Sequence, residues 1–161
     1  MATTTSKTSP LAARELRAWK GLLRTHSLLT KELDAELERA HGISLSSYEV
    51  LLHLANAEGG RLRMSELADS VVLSRSGLTR LVDRLEREQL IERCACTKDA
   101  RGFYACLTDI GRARFAEAQH THLGGVRRLF VERVDAAHLD VLAEVWERVA
   151  PPSAAGDGPC H

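Results

Sequence analysis

Fifteen residues of the chain, SRSGLTRLVDRLERE at positions 74–88, separate their apolar and basic side chains at helical spacing. On a wheel of 100° per residue the aliphatic side chains fall within about 100° and define a buried face. They are Leu78, Leu81, Val82 and Leu85. The opposite side carries arginine and small hydroxyl residues, namely Ser76, Arg80, Asp83 and Arg87, with Thr79 on a flank and Arg75 exposed in the first turn.

This combination of side chains suits contact with DNA. A helix enters the major groove with small polar residues near its N-terminus, and arginine there hydrogen-bonds guanine edges or phosphate. Free amides at the helix N-terminus also bind phosphate. The alternative is a solvated helix face with charge pairs four residues apart, such as Asp83 with Arg87.

A second basic segment, TKDARG at residues 97–102, lies between two strand-like runs. Lys98 and Arg101 on such a loop could reach the phosphate backbone or the narrow minor groove. Asp99 disfavours phosphate contact, so we expect it to hold an arginine through a charge-assisted hydrogen bond. The alternative is a solubilising hairpin turn.

Helical patterns cover residues 74–88 and most of the chain before them. Apolar spacings of three and four predict a first helix from Leu11 to about Ala40, ended by His41-Gly42. Ser46 with Glu49 reads as a capping box for a second helix that Gly59-Gly60 stops. RLR at 61–63 is too short for more than an edge strand, and Ser65 then caps a helix of about two turns. Ser74 caps the next helix, to about Glu88.

Beyond residue 89 the periodicity changes to that of a hairpin and then returns to helix. LIERCAC and GFYACLT read as two short strands. Thr108 restarts helix, with Gly124-Gly125 as a weak point or kink, and Asp135 caps a last helix that Pro151-Pro152 terminates. We expect the polar segments 1–9 and 151–161 to be disordered.

Composition excludes several classes of protein. The 161 residues fit one domain, and 22 basic against 22 acidic residues give zero formal net charge. Residues 61–80 nevertheless hold four basic and two acidic residues, a local charge of +2. No apolar run is long enough for a membrane span or a secretory signal, which predicts a cytoplasmic protein without a membrane partner. The common hydrolase, nucleotide-binding and zinc-protease motifs are absent, so we expect no enzyme, cofactor or metal site.

Three motifs of the chain resemble those of a known family. ELADSVVLSRSGLTRLVDRLEREQLIER, then the D-x-R of DARG, then CLTDIGR are similar to the MarR family of bacterial transcriptional regulators. The resemblance covers about residues 11–150 and is strongest over 64–112. It implies a mainly α fold with a small β-hairpin wing. In that fold a winged helix-turn-helix at 46–107 is flanked by dimerisation helices at 11–40 and 109–150.

The resemblance also implies roles for single residues. Contacts of the recognition helix with DNA would come from Ser74, Arg75, Ser76, Thr79 and Arg80. Arg101 would enter the minor groove with Asp99 orienting it. Ala100 departs from the family, which commonly has another arginine there, and this predicts a weaker grip of the wing.

A homodimer is expected from the residues as well as from the resemblance. The first helix has more apolar surface than one small domain covers, and the last two helices add Phe130, Leu139, Leu142 and Trp146. Two-fold symmetry places the recognition helices about 34–36 Å apart, as a palindromic operator requires. The alternative is a monomer.

Family members often respond to small aromatic acids or phenols between the dimerisation helices and the winged helix. Arginine beside aromatic rings could hold such a carboxylate through a bidentate pair and stacking. The candidate residues are Arg14, Arg17, Trp19, Arg24 and His26 on the first helix and His53 on the second. The alternative is that Trp19 and His26 serve the core or the dimer interface.

Cysteines on the hairpin offer a rival trigger. Cys94, Cys96 and Cys106 lie within 13 residues, and some relatives sense thiol oxidation or metals. Cys94 and Cys96 are nearly 7 Å apart along a strand, which is too far for one zinc without distortion. If the hairpin pivots near Ala100, Cys94 faces Cys106 and a disulfide forms only with strain. The alternative is that all are structural thiols.

The sequence therefore predicts a DNA-binding regulator, acting as a repressor on a palindromic operator and released by an aromatic or phenolic ligand. Two alternatives stay open. One is a redox sensor that uses the hairpin cysteines, and the other is a winged helix that binds protein.

Overall fold

The computed structural model of the chain describes residues 9–71, 73–95 and 103–150. The first half contains α1 (Ala13–His41), α2 (Leu45–Asn56), a 3-10 turn (Glu58–Gly60), β1 (Arg61–Arg63), α3 (Met64–Ser70) and α4 (Arg75–Arg87). The second half contains β2 (Ile91–Ala95), β3 (Phe103–Leu107), α5 (Asp109–Leu129), a 3-10 turn (Val131–Arg133) and α6 (Ala136–Val149). The predicted order of elements is confirmed. The segments predicted to be disordered lie outside the described residues apart from Ser9.

The core lies where α2, α4 and the sheet meet. Aliphatic side chains at helical spacing on α2 and α4 are fully buried there, including Val50, Leu54, Val82 and Leu85. Leu37 of α1, Ile91 and Ala105 of the sheet, and Phe115 and Ala118 of α5 close the same cluster. The long helices therefore pack on the winged-helix part through one end of α1 and the first half of α5.

The three strands form an antiparallel sheet in the order β1-β3-β2. In this register Arg61 of β1 pairs with Cys106 of β3, and Ile91 of β2 pairs with Leu107 of β3. Because β3 lies in the centre, β1 is an edge strand, as predicted. Two short helices joined by a tight turn and followed by this hairpin make a winged helix-turn-helix. This confirms the predicted fold class.

Helix ends were predicted well where a single cap residue decides them. Gly42 takes a left-handed conformation (φ 67°) and ends α1, while Ser74 and Thr108 accept amide hydrogen bonds at the starts of α4 and α5. Asp135 holds the N-cap position of α6, although its side chain makes no capping hydrogen bond.

Two predicted caps were wrong. Ser44, rather than Ser46, caps α2, because this start gives both early amides a partner: Ser47 donates to Ser44 Oγ and Leu45 to Asp34 Oδ1. Helix α3 begins at Met64, directly after β1, and Ser65 lies inside its first turn. The Arg63 amide there donates to Glu66 Oε2 at 2.7 Å.

The predicted weak point at Gly124-Gly125 is not a kink, since α5 runs unbroken from Asp109 to Leu129. A Cβ at Gly125 would lie 2.7 Å from Leu33 Cδ2 and from a Glu36 carboxylate oxygen. A side chain at this position would displace the ends of these two α1 side chains, so Gly125 favours the close approach of α5 to α1. Helix α5 ends at Leu129, and the 3-10 turn at Val131–Arg133 separates it from α6.

Two helices keep bare apolar surfaces. Of the 29 residues of α1, Leu33 and Leu37 alone are buried, and α6 buries none. Large apolar side chains stay exposed on these helices, namely Leu11, just before α1, with Leu16, Trp19, Leu23 and Leu28 on α1, and Val141, Val145, Trp146 and Val149 on α6.

Candidate nucleic-acid interface

Helix α4 lies with one face in the core and the other in solvent. Leu78, Leu81, Val82 and Leu85 are each at most 8% exposed, which confirms the buried face predicted from the wheel. Ser74 Oγ accepts the Gly77 amide at 3.1 Å, so the cap fixes where the helix begins. The predicted contact residues Ser74, Arg75, Ser76, Thr79 and Arg80 are all exposed.

The polar groups on this exposed face are only partly satisfied by the protein. Thr79 Oγ1 donates to the Arg75 carbonyl at 3.0 Å, and the hydroxyls of Ser74 and Ser76 are 3.3 Å apart. Within the described residues, the guanidinium groups of Arg75 and Arg80 make no hydrogen bond or ion pair. Two cations with unused donors therefore stand beside hydroxyl groups on a convex helix, which suits base edges and phosphate oxygens.

Arg93 on β2 ties the sheet to α4, and the sequence reading did not single it out. Its guanidinium pairs with Asp83 and with Glu86 of α4, while its amide donates to Glu86 Oε1 at 3.3 Å. The hydrogen bond that Arg93 donates to Asp83, and then the charge of Glu86, raise the pKa of Arg93 above its ordinary value. The ten-residue separation of Asp83 and Arg93 gave no helical spacing by which to find the pair.

The pairing of Asp83 with Arg93 also corrects one reading of the helix surface. The charge pair considered between Asp83 and Arg87 is absent, because the Asp83 carboxylate turns towards β2. Arg87 Nε instead donates to the Asp83 main-chain oxygen at 3.3 Å. The acidic groups of α4 therefore face the wing side of the helix, and Arg87 keeps its charge exposed.

The tip of the wing lies outside the described residues, and Lys98, Asp99, Arg101 and Cys96 lie there with it. The described strands β1 and β3 carry two arginines beside an aromatic ring. Arg61 and Arg63 of β1 approach the ring of Tyr104 on β3, with guanidinium carbons 5.5 and 5.4 Å from the ring centre. Arg63 Nε also donates to the Tyr104 hydroxyl at 3.3 Å. The base of the wing thus carries two further cations.

Cys94 and Cys106 are not directly opposite each other, as they would be in a hairpin that pivots near Ala100. Cys94 pairs with Tyr104, and Cys106 pairs with Glu92, which places the two thiols diagonally on one face. Diagonal neighbours are about 7–8 Å apart with Cβ atoms somewhat closer, whereas a disulfide needs Cβ atoms about 3.5–4.5 Å apart. The two thiols are therefore near each other but would form a disulfide only with movement of the backbone. Burial, and then the hydrogen bond with Cys94, raises the pKa of Cys106 to about 12. Cys106 is therefore a protonated thiol at neutral pH and a weak nucleophile.

Among residues 9–71, 73–95 and 103–150 there is no group of three metal-ligating side chains. In the same part of the chain no helix is long and apolar enough to cross a membrane.

The predicted ligand-binding residues are not gathered in one place. Arg14, Arg17, Trp19, Arg24 and His26 are exposed along α1, and the first and last are about 18 Å apart at the helical rise. His53 is half-buried on α2. Of this set, His26 alone lines a groove of about 620 Å³ between α1 and α2, with Ser27, Thr30, Lys31, Asp34, Leu45, Ser46 and Glu49. Burial raises the pKa of Glu49 above its ordinary value, against a smaller lowering by His53.

Comparison with known proteins supplies a family for this arrangement. Residues 41–102 match a sequence model described as MarR family. The chain is 33% identical to AbsC, a MarR family transcriptional regulator from Streptomyces coelicolor, over 89% of this chain and 96% of that one, with a TM-score of 0.83. It is 31% identical to Sco3205 of the same organism, a MarR family regulator solved in complex with DNA, over 94% and 96% of the chains, with a TM-score of 0.86.

A curated relative is also described as a transcriptional regulator, although the match covers less of both chains. The HTH-type transcriptional regulator PrsX of Escherichia coli is 29% identical over 112 residues, which are 70% of this chain. The chain spans 58% of the length of that regulator.

Proposed function

This chain belongs to the MarR family of transcriptional regulators, and from that premise we propose that it binds double-stranded DNA at a palindromic operator as a homodimer. The observation that carries the proposal is the exposed face of α4. Arg75 and Arg80 lie there beside Ser76 and Thr79, and their guanidinium groups make no hydrogen bond or ion pair with the described residues. A regulator of the same fold, Sco3205, has been solved in complex with DNA.

The wing completes the proposed contact surface. Arg61 and Arg63 at its base add positive charge on the sheet, and Lys98 and Arg101 at its tip are proposed to reach the backbone and the minor groove, with Asp99 orienting Arg101. Arg93 has a different role in this proposal. By holding Asp83 and Glu86 it keeps the acidic groups of α4 away from the DNA-facing side and couples α4 to the strand that leads into the wing.

The proposed homodimer follows from the bare surfaces of α1 and α6. Trp19, Leu23 and Leu28 of α1 are each about half exposed, while Val141 and Val149 of α6 are 54% and 70% exposed. Contiguous apolar faces of this kind mark protein interfaces. A second copy would cover both helices and hold two α4 helices in a fixed spacing, which reads two half-sites.

Repression is the proposed outcome of binding. A dimer that occupies two successive major grooves excludes other proteins from that stretch of DNA, and this blocks transcription wherever the operator overlaps a promoter. A protein that acts on chromosomal DNA in a bacterium works in the cytoplasm, which is the proposed location.

The proposed effector is a small aromatic or phenolic acid in the groove between α1 and α2. His26 and Lys31 provide a ring and a cation on α1, and Glu49 on α2 favours its protonated form more than an exposed carboxyl does. The groove joins a dimerisation helix to the first helix of the winged-helix part. A ligand there would change the spacing of the two α4 helices. Arg14, Arg17, Trp19, Arg24 and His53 stay proposed ligand-binding residues, but they lie outside this groove.

A gel-shift assay on the DNA upstream of the protein's own gene tests these proposals. We expect a retarded complex that weakens as salt rises, because phosphate contacts release counterions. Salicylate should release the DNA if the groove binds aromatic acids. Release by hydrogen peroxide, reversed by a thiol, would support the hairpin cysteines instead. Absence of salt-dependent DNA affinity would contradict the proposal and favour a winged helix that binds protein.

A further inference from the structure

A groove beside α4 is lined, among the residues that the structure describes, by three arginines and by no acidic side chain. It has a volume of about 440 Å³ and lies between α4 and the start of α2. Its lining consists of Ser44, Ser46, Leu73, Gly77, Arg80, Leu81, Arg84 and Arg87. The arginines occupy positions i, i+4 and i+7 of α4, which share one helix face. Like charges at this spacing repel, so the face is suited to an anion that binds between them.

Arg84 is fixed in this groove by neutral groups. Its Nη2 donates to Ser44 Oγ at 3.0 Å and to Ser47 Oγ at 2.7 Å, and the Ser47 side chain is buried. Within the described residues its guanidinium has no carboxylate partner. Asp83 and Glu86, the neighbouring acids of α4, are both engaged by Arg93 on the other side of the helix. The positive charge of Arg84 therefore stays unneutralised.

The start of α2 forms the opposite wall of the groove and adds a donor, the hydroxyl of Ser46. Leu45 donates its amide to Asp34 Oδ1, and Ser47 donates its amide to Ser44 Oγ. Between them, Ser46 has a hydroxyl with no hydrogen bond to the described part of the chain and lines the groove. Asp34 lies on the α1 side of Ser46 and lines the separate groove between α1 and α2.

We propose that this groove binds one phosphate group of the DNA backbone, held by Arg80, Arg84 and Arg87 with the Ser46 hydroxyl. The inference rests on the proposed function, since Arg80 belongs both to the groove and to the DNA-facing side of α4. A backbone phosphate fits better than a free anion, because the groove is open and continues from the surface that would lie on DNA. The proposal extends the contact surface to the C-terminal half of α4, beyond Arg80, the last contact residue of the helix that the sequence predicts.

The test uses the full chain, with the DNA upstream of its gene and a scrambled duplex of the same length as probes. Arg87→Gln and Ser46→Ala remove groove donors and leave the structural contacts of Arg84 in place. Fluorescence anisotropy over a series of KCl concentrations gives the slope of log affinity against log salt. The matched control is Arg127→Gln, which removes one exposed charge on α5, away from the groove.

We expect Arg87→Gln to lower the slope by about 0.9, the value for one lost phosphate contact, and to weaken both duplexes by the same factor. Ser46→Ala should weaken both duplexes equally with little change in slope, and Arg127→Gln should bind as the wild type does. Wild-type slope and affinity in Arg87→Gln would overturn the phosphate site and leave DNA binding intact. A loss confined to the upstream duplex would also overturn it, because Arg87 would then read bases. Absence of wild-type binding to either duplex would refute the proposed function itself.

Inorganic phosphate gives a further arm of the test. Titration of the DNA-free protein with phosphate would show whether a free anion occupies the groove. Tight binding that Arg87→Gln abolishes, together with an unchanged DNA slope, would assign the groove to a free anion and overturn the inference.

Discussion

Helices α4 and α6 have nearly the same length, 13 and 14 residues, and both are amphipathic, yet the chain covers the apolar face of α4 alone. Four aliphatic side chains of α4 are buried, whereas Trp146 of α6 is 40% exposed and Val149 is 70% exposed. A periodic pattern thus identifies the apolar face of a helix without identifying which molecule covers it. The winged-helix part completes its own core, and the flanking helices depend on a second copy in the proposed dimer.

The largest expected effect comes from the covered face. Leu85→Ala removes a fully buried side chain between α4 and the sheet, so the free energy of unfolding should fall by about 2–5 kcal/mol. Urea denaturation followed by circular dichroism measures this. Ile110→Ala is the control, since Ile110 is 54% exposed and should cost less than about 0.5 kcal/mol. Equal losses in the two variants would contradict the assignment of the core.

The uncovered face should respond in assembly rather than in folding of the winged helix. Trp146→Glu places a charge at the centre of the proposed interface, where truncated anchors cost about 2 kcal/mol or more. The dimer dissociation constant should rise at least about 30-fold, as measured by sedimentation equilibrium. Glu147→Gln on the same helix should leave it unchanged. A Trp146→Glu protein that sediments as the wild type does would show that α6 is not the interface.

Ion pairs offer a smaller contrast between the same two regions. Arg93 binds two carboxylates of α4, whereas among the described residues Arg148 of α6 pairs with Glu144 only, at 3.5 Å, with both side chains exposed. Exposed pairs contribute about 0–1 kcal/mol, and a charge shared between two ordered partners lies at the upper end. Arg93→Ala should therefore cost about 1 kcal/mol and Arg148→Ala close to nothing. A double-mutant cycle with Asp83→Asn isolates the pair, and no coupling would contradict the role given to Arg93.

The smallest effect concerns pH. His122 is half-buried beside the ring of Tyr48, with ring centres 4.4 Å apart, and burial lowers its pKa below the ordinary 6.5. The unfolded chain therefore binds a proton that the folded chain refuses as pH falls through about 6.5, and stability declines below that pH. In His122→Gln the stability between pH 7 and about 5 should decline less. Parallel pH profiles for the two proteins would contradict this assignment.

Much of the fold was open to sequence reading because local patterns determine it. The buried side of α4 and the caps Ser74 and Thr108 follow from helical spacing and from a hydroxyl before the first turn. The cap Ser46 was misplaced because three serines, at positions 44, 46 and 47, lie near the start of α2. The cap Ser65 was misplaced because β1 runs directly into α3. At α2 the hydrogen bond from the Leu45 amide to Asp34, eleven residues away, supports the observed start, and no local spacing encodes it. At α3 the deciding hydrogen bond is local, from the Arg63 amide to Glu66.

The candidate site was predictable in part for the same reason. Exposed Arg75 and Arg80 follow from the wheel, whereas Arg93 and Arg84 do not. Arg93 acts across a strand-to-helix contact, and Arg84 across 37 and 40 residues to the serines of α2. The predicted pairing of Cys94 with Cys106 failed because the hairpin register differs by two residues, which moves the partner of Cys106 from Cys94 to Glu92.

The proposed function depends on DNA binding by the exposed face of α4. The affinity of Arg80→Ala for the upstream duplex, measured by anisotropy at fixed salt beside the wild type, tests it most directly. We predict a loss of about 1–3 kcal/mol, roughly 5- to 150-fold, with an unchanged circular dichroism spectrum. Wild-type affinity in a folded Arg80→Ala protein would contradict the claim and move the DNA contact away from α4.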